Sequence, residues 1–220
     1  MTDLRAVVFD WRGTLVTTLA AEEWVGEALA LLGRDRDADS VAQVLTAISR
    51  ADGEPSRLEA DGVDCDARRH RDTYYAVFSD AGLDDDLSDA LYAVESDPRH
   101  NHFADDVAET LRWVAARGCR VAILSDIHFD LRPVFNAANL DRFVDGYVLS
   151  FECGVQKPDP AIFRAALDAL GSRPERTLMV GDRASHDGAA VELGMPTLLV
   201  PTLTNPAQRR LDVVRNLVGR

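Results

Sequence analysis

The first residue with chemistry to offer is a carboxylate at the end of a short apolar run. Asp10 follows Ala6-Val7-Val8-Phe9 and precedes Trp11-Arg12-Gly13-Thr14-Leu15. Three later loops carry reactive groups in similar places. They are Ser125-Asp126 after Val121-Ala122-Ile123-Leu124, Lys157 in the loop 152–160, and Gly181-Asp182 with Asp187 after Thr177 to Val180. The carboxylates Asp10, Asp182 and Asp187, with no His or Cys partner, make a hard oxygen donor set. Such a set suits a Mg2+ ion that keeps several waters and completes its shell with substrate phosphate. Asp10 can then act as a nucleophile on phosphorus, giving an aspartyl phosphate that water hydrolyses. Lys157, the Ser125 hydroxyl and backbone amides near Gly13 and Asp126 would neutralise and position the transferring group, which is most of what phosphoryl transfer requires.

Lys157 stands out by composition. Of the 24 basic residues, 23 are Arg and one is Lys. A lone ammonium kept in so arginine-rich a chain points to a place where a compact point charge fits and a forked guanidinium does not.

These groups must be positioned by elements, and the pattern of elements is legible. Ala6 to Phe9 reads as a strand buried on both faces, and Gly13 permits a sharp turn where Asp10 emerges. From Thr17 to about Arg99 the texture is helical. The stripes Trp24-Val25-Ala28-Leu29-Leu32, Val41-Val44-Leu45-Ile48, Tyr74-Tyr75-Phe78 and Leu87-Leu91-Val94 predict about four helices. Arg68, Arg69, His70 and Arg71 read there as a solvated helix face. From Asp105 strands and helices alternate. Strands are expected at 121–124, 146–149, 177–180 and 197–200, with helices at 131–139, from Pro160 to Leu170, after Asp187 to Leu193, and at the end with Leu211, Val214 and Leu217. The expected fold is α/β: a doubly wound, Rossmann-like parallel sheet built from 1–16 and 100–220, with an all-helical insertion over 17–99. The carboxyl ends of its strands gather Asp10, Ser125, Lys157, Asp182 and Asp187 at one edge, where open sheets of this kind bind their ligands.

Composition excludes other classes. The formal net charge of −13 argues against nucleic acid or an anionic membrane as partner, since both need a basic face. Cys65, Cys119 and Cys153 are odd in number and form no metal-ligand pattern, and read as buried thiols of a reducing compartment. Asp3, Arg5 and Asp10 interrupt the first apolar run, so a signal peptide is not expected. The expectation is a cytoplasmic protein, monomer or homodimer, acting on a small phosphorylated molecule. Trp113 and Phe163 are expected in the core, and Trp11 on the side of the pocket facing the insertion or packed beside it.

Asp10-x-x-Gly13-Thr14-Leu15, Ser125 after a strand, Lys157-Pro158-Asp159 and Gly181-Asp182-x-x-x-x-Asp187 resemble the four motifs of the haloacid dehalogenase-like hydrolase superfamily. The insertion resembles the small helical cap of some members. The resemblance implies Asp10 and Lys157 as catalytic residues. It implies Arg12, Gly13, Ser125, Asp126 and Lys157 around the substrate, and Asp10, the Arg12 carbonyl, Asp182 and Asp187 around Mg2+. One position departs from the pattern. Phosphatases of the family carry Asp-x-Asp-Gly-Thr, whose second Asp exchanges protons with the leaving oxygen, and here that position is Arg12. A guanidinium cannot exchange protons at neutral pH. Three readings remain open: a Mg2+-dependent phosphohydrolase whose leaving group needs no proton or takes one from elsewhere, His128 included; a metal-independent 2-haloacid-type dehalogenase; and a non-catalytic phosphate or metabolite binder.

Overall fold

The computed structural model describes residues 4–218. Strand β1 (Ala6–Phe9) is followed by four helices, α1 (Ala21–Leu31), α2 (Ala38–Asp52), α3 (Ala67–Asp80) and α4 (Asp85–Glu95). Alternation then sets in with α5 (Val107–Ala116), β2 (Arg120–Ser125), α6 (Arg132–Ala137), β3 (Gly146–Leu149), α7 (Ser150–Cys153), α8 (Pro160–Leu170), β4 (Thr177–Gly181), β5 (Thr197–Leu199) and α9 (Asp212–Val218). The chain divides into two compact units, Met1–Thr18 with Asn101–Arg220, and Leu19–His100. Texture in the sequence had placed these joints at 17 and 99.

In the first unit the five strands are all parallel, in the order β3-β2-β1-β4-β5. Alternate residues of each strand face opposite layers, as the two-residue period of a strand demands. Val7, Phe9, Val121 and Ile123 pack with Val107, Leu111 and Val114 of α5, Phe135 of α6 and Val214 of α9. Ala6, Val8, Ala122 and Leu124 pack with Ile162, Phe163, Ala166 and Leu170 of α8. Helices cover both faces, which explains why the strands read as unbroken apolar runs.

Phe9 lies opposite Ile123 on one side and Val180 on the other. Asp10 therefore leaves the central strand one residue beyond a shared line, with its amide still donating to the Val180 carbonyl at 2.9 Å. Strand order reverses between β1 and β4, so the crevice at that switch point opens between the Asp10 turn and the Asp182 loop.

Where the chain leaves and re-enters this unit, the two passages are clasped. The Thr17 amide donates to the His102 carbonyl at 2.9 Å. Asn101 Nδ2 donates to the Thr17 carbonyl at 2.9 Å, and the His102 amide donates to Thr17 Oγ1 at 3.0 Å.

The second unit buries its own core, formed by Val25, Leu29, Ile48, Val77, Phe78, Leu91 and Val94. Three of its four α-helices, α2, α3 and α4, start on acidic caps: Asp37, Asp66 and Asp84 accept from the amides of Ser40, Arg69 and Leu87, satisfying donors that a helix leaves unpaired.

Several expectations need correction. His70 is not on a solvated face: it is buried and stacks on Tyr74 with ring centroids 4.3 Å apart. Trp11 is wholly buried in the first unit's core, edge-on to Phe129. Only Cys119 of the three cysteines is buried, Cys153 being exposed and Cys65 intermediate. Trp113 is half-buried, with the Arg117 guanidinium lying over its ring. The stretch Asp187–Leu193 is a 3-10 helix, the fifth strand ends at Leu199, and Leu217 is exposed.

Candidate active site

Lys157 joins two of the carboxylates. Its Nζ lies 2.6 Å from Asp10 Oδ1 and 2.6 Å from Asp187 Oδ1, all three side chains being buried. The loop after β3 and α7 delivers it. The Lys157 amide donates to Asp126 Oδ1 at 2.9 Å, which fastens that loop to the end of β2. Thr14 Oγ1 donates to Asp10 Oδ2 at 3.0 Å and lies 3.4 Å from Asp182 Oδ1. Ser125 is buried at the end of β2, 3.5 Å from the Asp126 carbonyl, too long for a firm O–H···O bond.

The acidic residues play unequal parts. Asp187 Oδ2 accepts from the amides of Asp182 and Arg183, at 3.1 and 2.9 Å, while its other oxygen faces Lys157. Both oxygens are thus engaged in folding the loop and holding the amine. Asp182 is half-exposed and, among the described residues, its carboxylate accepts from hydroxyls only: Thr14, and Thr202 Oγ1 at 2.6 Å. Asp10, Asp182 and Asp187 offer carboxylate oxygens all within 4.8 Å of one another.

Three carboxylates, Asp10, Asp126 and Asp187, bear on one ammonium, with Asp182 beside Asp10. Burial pushes Asp10 up to about 7; Lys157 opposes this and the negative charge of Asp187 adds to it. Burial raises Asp126 as well. For Lys157, burial works against the charge, but Asp10, Asp126 and Asp187 hold it protonated, well above the ordinary lysine range. The negative excess, the all-oxygen donors and the short spacing fit a hard divalent cation.

Two glycines make the packing possible. Gly13 has φ +83°, and a Cβ there would meet Asp182 Oδ2 at 2.5 Å; one at Gly181 would meet Asp187 Cγ at 2.2 Å. Gly13→Ala therefore both strains the turn and displaces Asp182. Its expected result is a destabilisation of roughly 1–3 kcal/mol and weakened divalent-ion binding, read by thermal melts with and without Mg2+. A variant melting and responding to Mg2+ like the parent would show that the turn accommodates the methyl group.

All the predicted site residues lie in the first unit, at the carboxyl edge of its sheet. Arg12 is half-buried, with its guanidinium 5.6 Å from the Trp11 ring centroid. His128 is buried against Phe129 at 5.0 Å, and His186 packs beside Ser185. Two contributors were missed, Thr202 and Arg210. Thr202 stands just after β5 and obeys the same rule that marked the other loops, a polar group past the end of a strand. Arg210 gave no comparable signal.

A parallel, doubly wound sheet with an aspartate emerging at the end of its central strand and a lysine bridging it to a second acidic loop is an α/β fold with a candidate catalytic edge. Comparison with known proteins agrees. The profile of the haloacid dehalogenase-like hydrolases matches residues 4–194. (S)-2-haloacid dehalogenase 4A of Burkholderia cepacia is 30% identical over 224 residues, covering 98% of this chain and 91% of that protein. Glyceraldehyde 3-phosphate phosphatase of Methanothermobacter thermautotrophicus is 31% identical over 106 residues, 47% of each protein. Among solved structures, a dehalogenase superposes with a TM-score of 0.65 at 26% identity, covering 94% of this chain and 89% of that one. The chain belongs to the haloacid dehalogenase-like hydrolases, a family in which its relatives include both phosphatases and 2-haloacid dehalogenases. No described helix is long and apolar enough to cross a membrane.

Proposed function

We propose that this hydrolase is a Mg2+-dependent phosphohydrolase of a small phosphorylated metabolite, working through an aspartyl-phosphate intermediate. The observation that carries the reading is Asp182: a carboxylate held beside Asp10, approached by hydroxyls only and without a salt bridge among the described residues. An attack on carbon that expels halide has no use for a second carboxylate there, whereas a metal does.

Mg2+, held by Asp10, Asp182 and the Arg12 main-chain carbonyl with Asp187 in support, would neutralise phosphoryl oxygens and orient the group for in-line transfer. Asp10 attacks phosphorus, the bond to the leaving oxygen breaks, and the phosphoryl group passes to the carboxylate. Lys157 and the Ser125 hydroxyl balance and position the charge on that group. Water then attacks the acyl phosphate and frees Asp10 and inorganic phosphate. Arg12 supplies no proton at neutral pH, and a positioned acid is worth roughly 10²- to 10⁴-fold in rate. The substrates favoured are those whose leaving group departs as a stable anion, acyl or sugar-1-type phosphates.

One observation favours a second reading, dehalogenation: a reaction that displaces halide needs no acid at the Arg12 position, and the dehalogenase of B. cepacia aligns along nearly the whole chain. A single panel separates them. Acetyl phosphate and p-nitrophenyl phosphate are expected to be hydrolysed with Mg2+ and not with EDTA, and Arg12→Asp to raise turnover of an alkyl phosphate roughly 10²-fold. EDTA-insensitive halide release from a 2-haloalkanoate, with no phosphate release, would establish the second reading instead.

A further inference from the structure

The segment after β5 lies against both acidic turns, and the four motifs do not include it. Thr202 Oγ1 donates to Asp182 Oδ2 at 2.6 Å, a charge-assisted bond that holds the carboxylate in one rotamer. The Leu203 amide donates to the Gly13 carbonyl at 2.7 Å, and the Val200 amide to the Gly181 carbonyl at 2.9 Å. Arg210 completes the strap. Its guanidinium donates to the carbonyls of Thr14 at 2.6 Å, Gly13 at 3.3 Å and Pro201. The far end is anchored by Asp106, fully buried before α5, whose Oδ2 accepts from the amides of Arg210 and Leu211 at 2.7 and 2.9 Å.

We infer that this strap sets the gap between Asp10 and Asp182, with Thr202 and Arg210 as positioning residues for the divalent-ion site: Thr202 by orienting the Asp182 carboxylate, Arg210 by tying the Asp10 turn to the same segment. The inference rests on the metal-dependent reading above. Partners of this kind, one bond removed from a metal, alter affinity without touching it, typically by 10- to 100-fold. A guanidinium spread over three main-chain carbonyls fixes a turn more tightly than any single donor, because its planar fork loses little freedom on binding.

The test is calorimetric titration of Mg2+ into the metal-free full chain and its variants, with the Mg2+ concentration for half-maximal activation as a second readout. Thr202→Val keeps the shape and removes the hydroxyl. It is expected to raise both the Mg2+ Kd and the activation constant about tenfold, with the metal-free Tm within about 2 °C of the parent. Thr202→Ser should restore affinity. Arg210→Met is expected to weaken Mg2+ binding at least as much. Should it fail to fold, the Thr202 pair still decides. Parent-like Mg2+ affinity in Thr202→Val overturns the inference and leaves the metal-dependent reading standing. A parent that takes up no Mg2+ overturns that reading itself, and this inference with it.

Discussion

Replacing Asp10 with Asn is expected to abolish turnover and leave the protein at least as stable as its parent. On the proposed covalent route the loss follows because an amide oxygen is a poor nucleophile, and neither neighbouring carboxylate is placed to substitute. Asp187 has both oxygens committed to Lys157 and to two amides, and Asp182 belongs to the neighbouring loop. Removing a nucleophile of this kind costs roughly 10⁴-fold or more in kcat. The stability follows from electrostatics. Burial is the main reason the Asp10 carboxyl is pushed up to about 7, with the negative charge of Asp187 adding to it against the pull of Lys157. An amide of the same shape sheds the cost of holding a charge there, while its carbonyl still accepts from Lys157. Kinetics on acetyl phosphate and a thermal melt check both halves. Retention of more than about 1% of parental turnover would contradict the nucleophilic role.

Lys157→Met should strongly destabilise the fold. The amine neutralises Asp10 and Asp187 at once, and both are buried with it. Breaking a buried pair by removing one partner costs roughly 3–5 kcal/mol, because the remaining charge is left uncompensated. In a chain of this size that amounts to a fall in Tm of roughly 10 °C. Activity is expected to vanish as well, since the transferring group loses its fixed positive charge. A double-mutant cycle isolates the cause: Asp10→Asn in the Lys157→Met background should recover part of the lost stability. Equal Tm values for parent and Lys157→Met would show that the ammonium is not what holds the cluster together.

Asp10 and Asp182 could be read from the sequence because each follows a local rule, a polar group where an apolar strand stops, and Lys157 because it is the one lysine among 24 basic residues; the parallel sheet turns these local signals into spatial convergence. Thr202 could have been found by the same rule, but a lone hydroxyl after a three-residue edge strand gave little signal. Arg210 acts through main-chain carbonyls, which leave no imprint on residue types. His70 was hidden by its neighbours: three arginines suggested a wet face, yet Tyr74, Val77 and Phe78 follow it at helical spacing and place it on the buried side. The stretch after His186 was read as an ordinary helix. Its N-terminal residue Asp187 is held by the Lys157 amine and two amides of its own loop, and the seven residues Asp187–Leu193 wind as a 3-10 helix that stops at Gly194.

The clasp between Thr17 and the residues His102 and Asn101 carries a practical corollary. Departure and return occur side by side and are sealed by three bonds that belong entirely to the first unit. The eighty-odd residues between them are thus wired like a cassette in a socket. Chimaeras that exchange Leu19–His100 for another helical module, cut between Thr18 and Leu19 and between His100 and Asn101, leave all three bonds in place, which makes the junction a ready point for recombination.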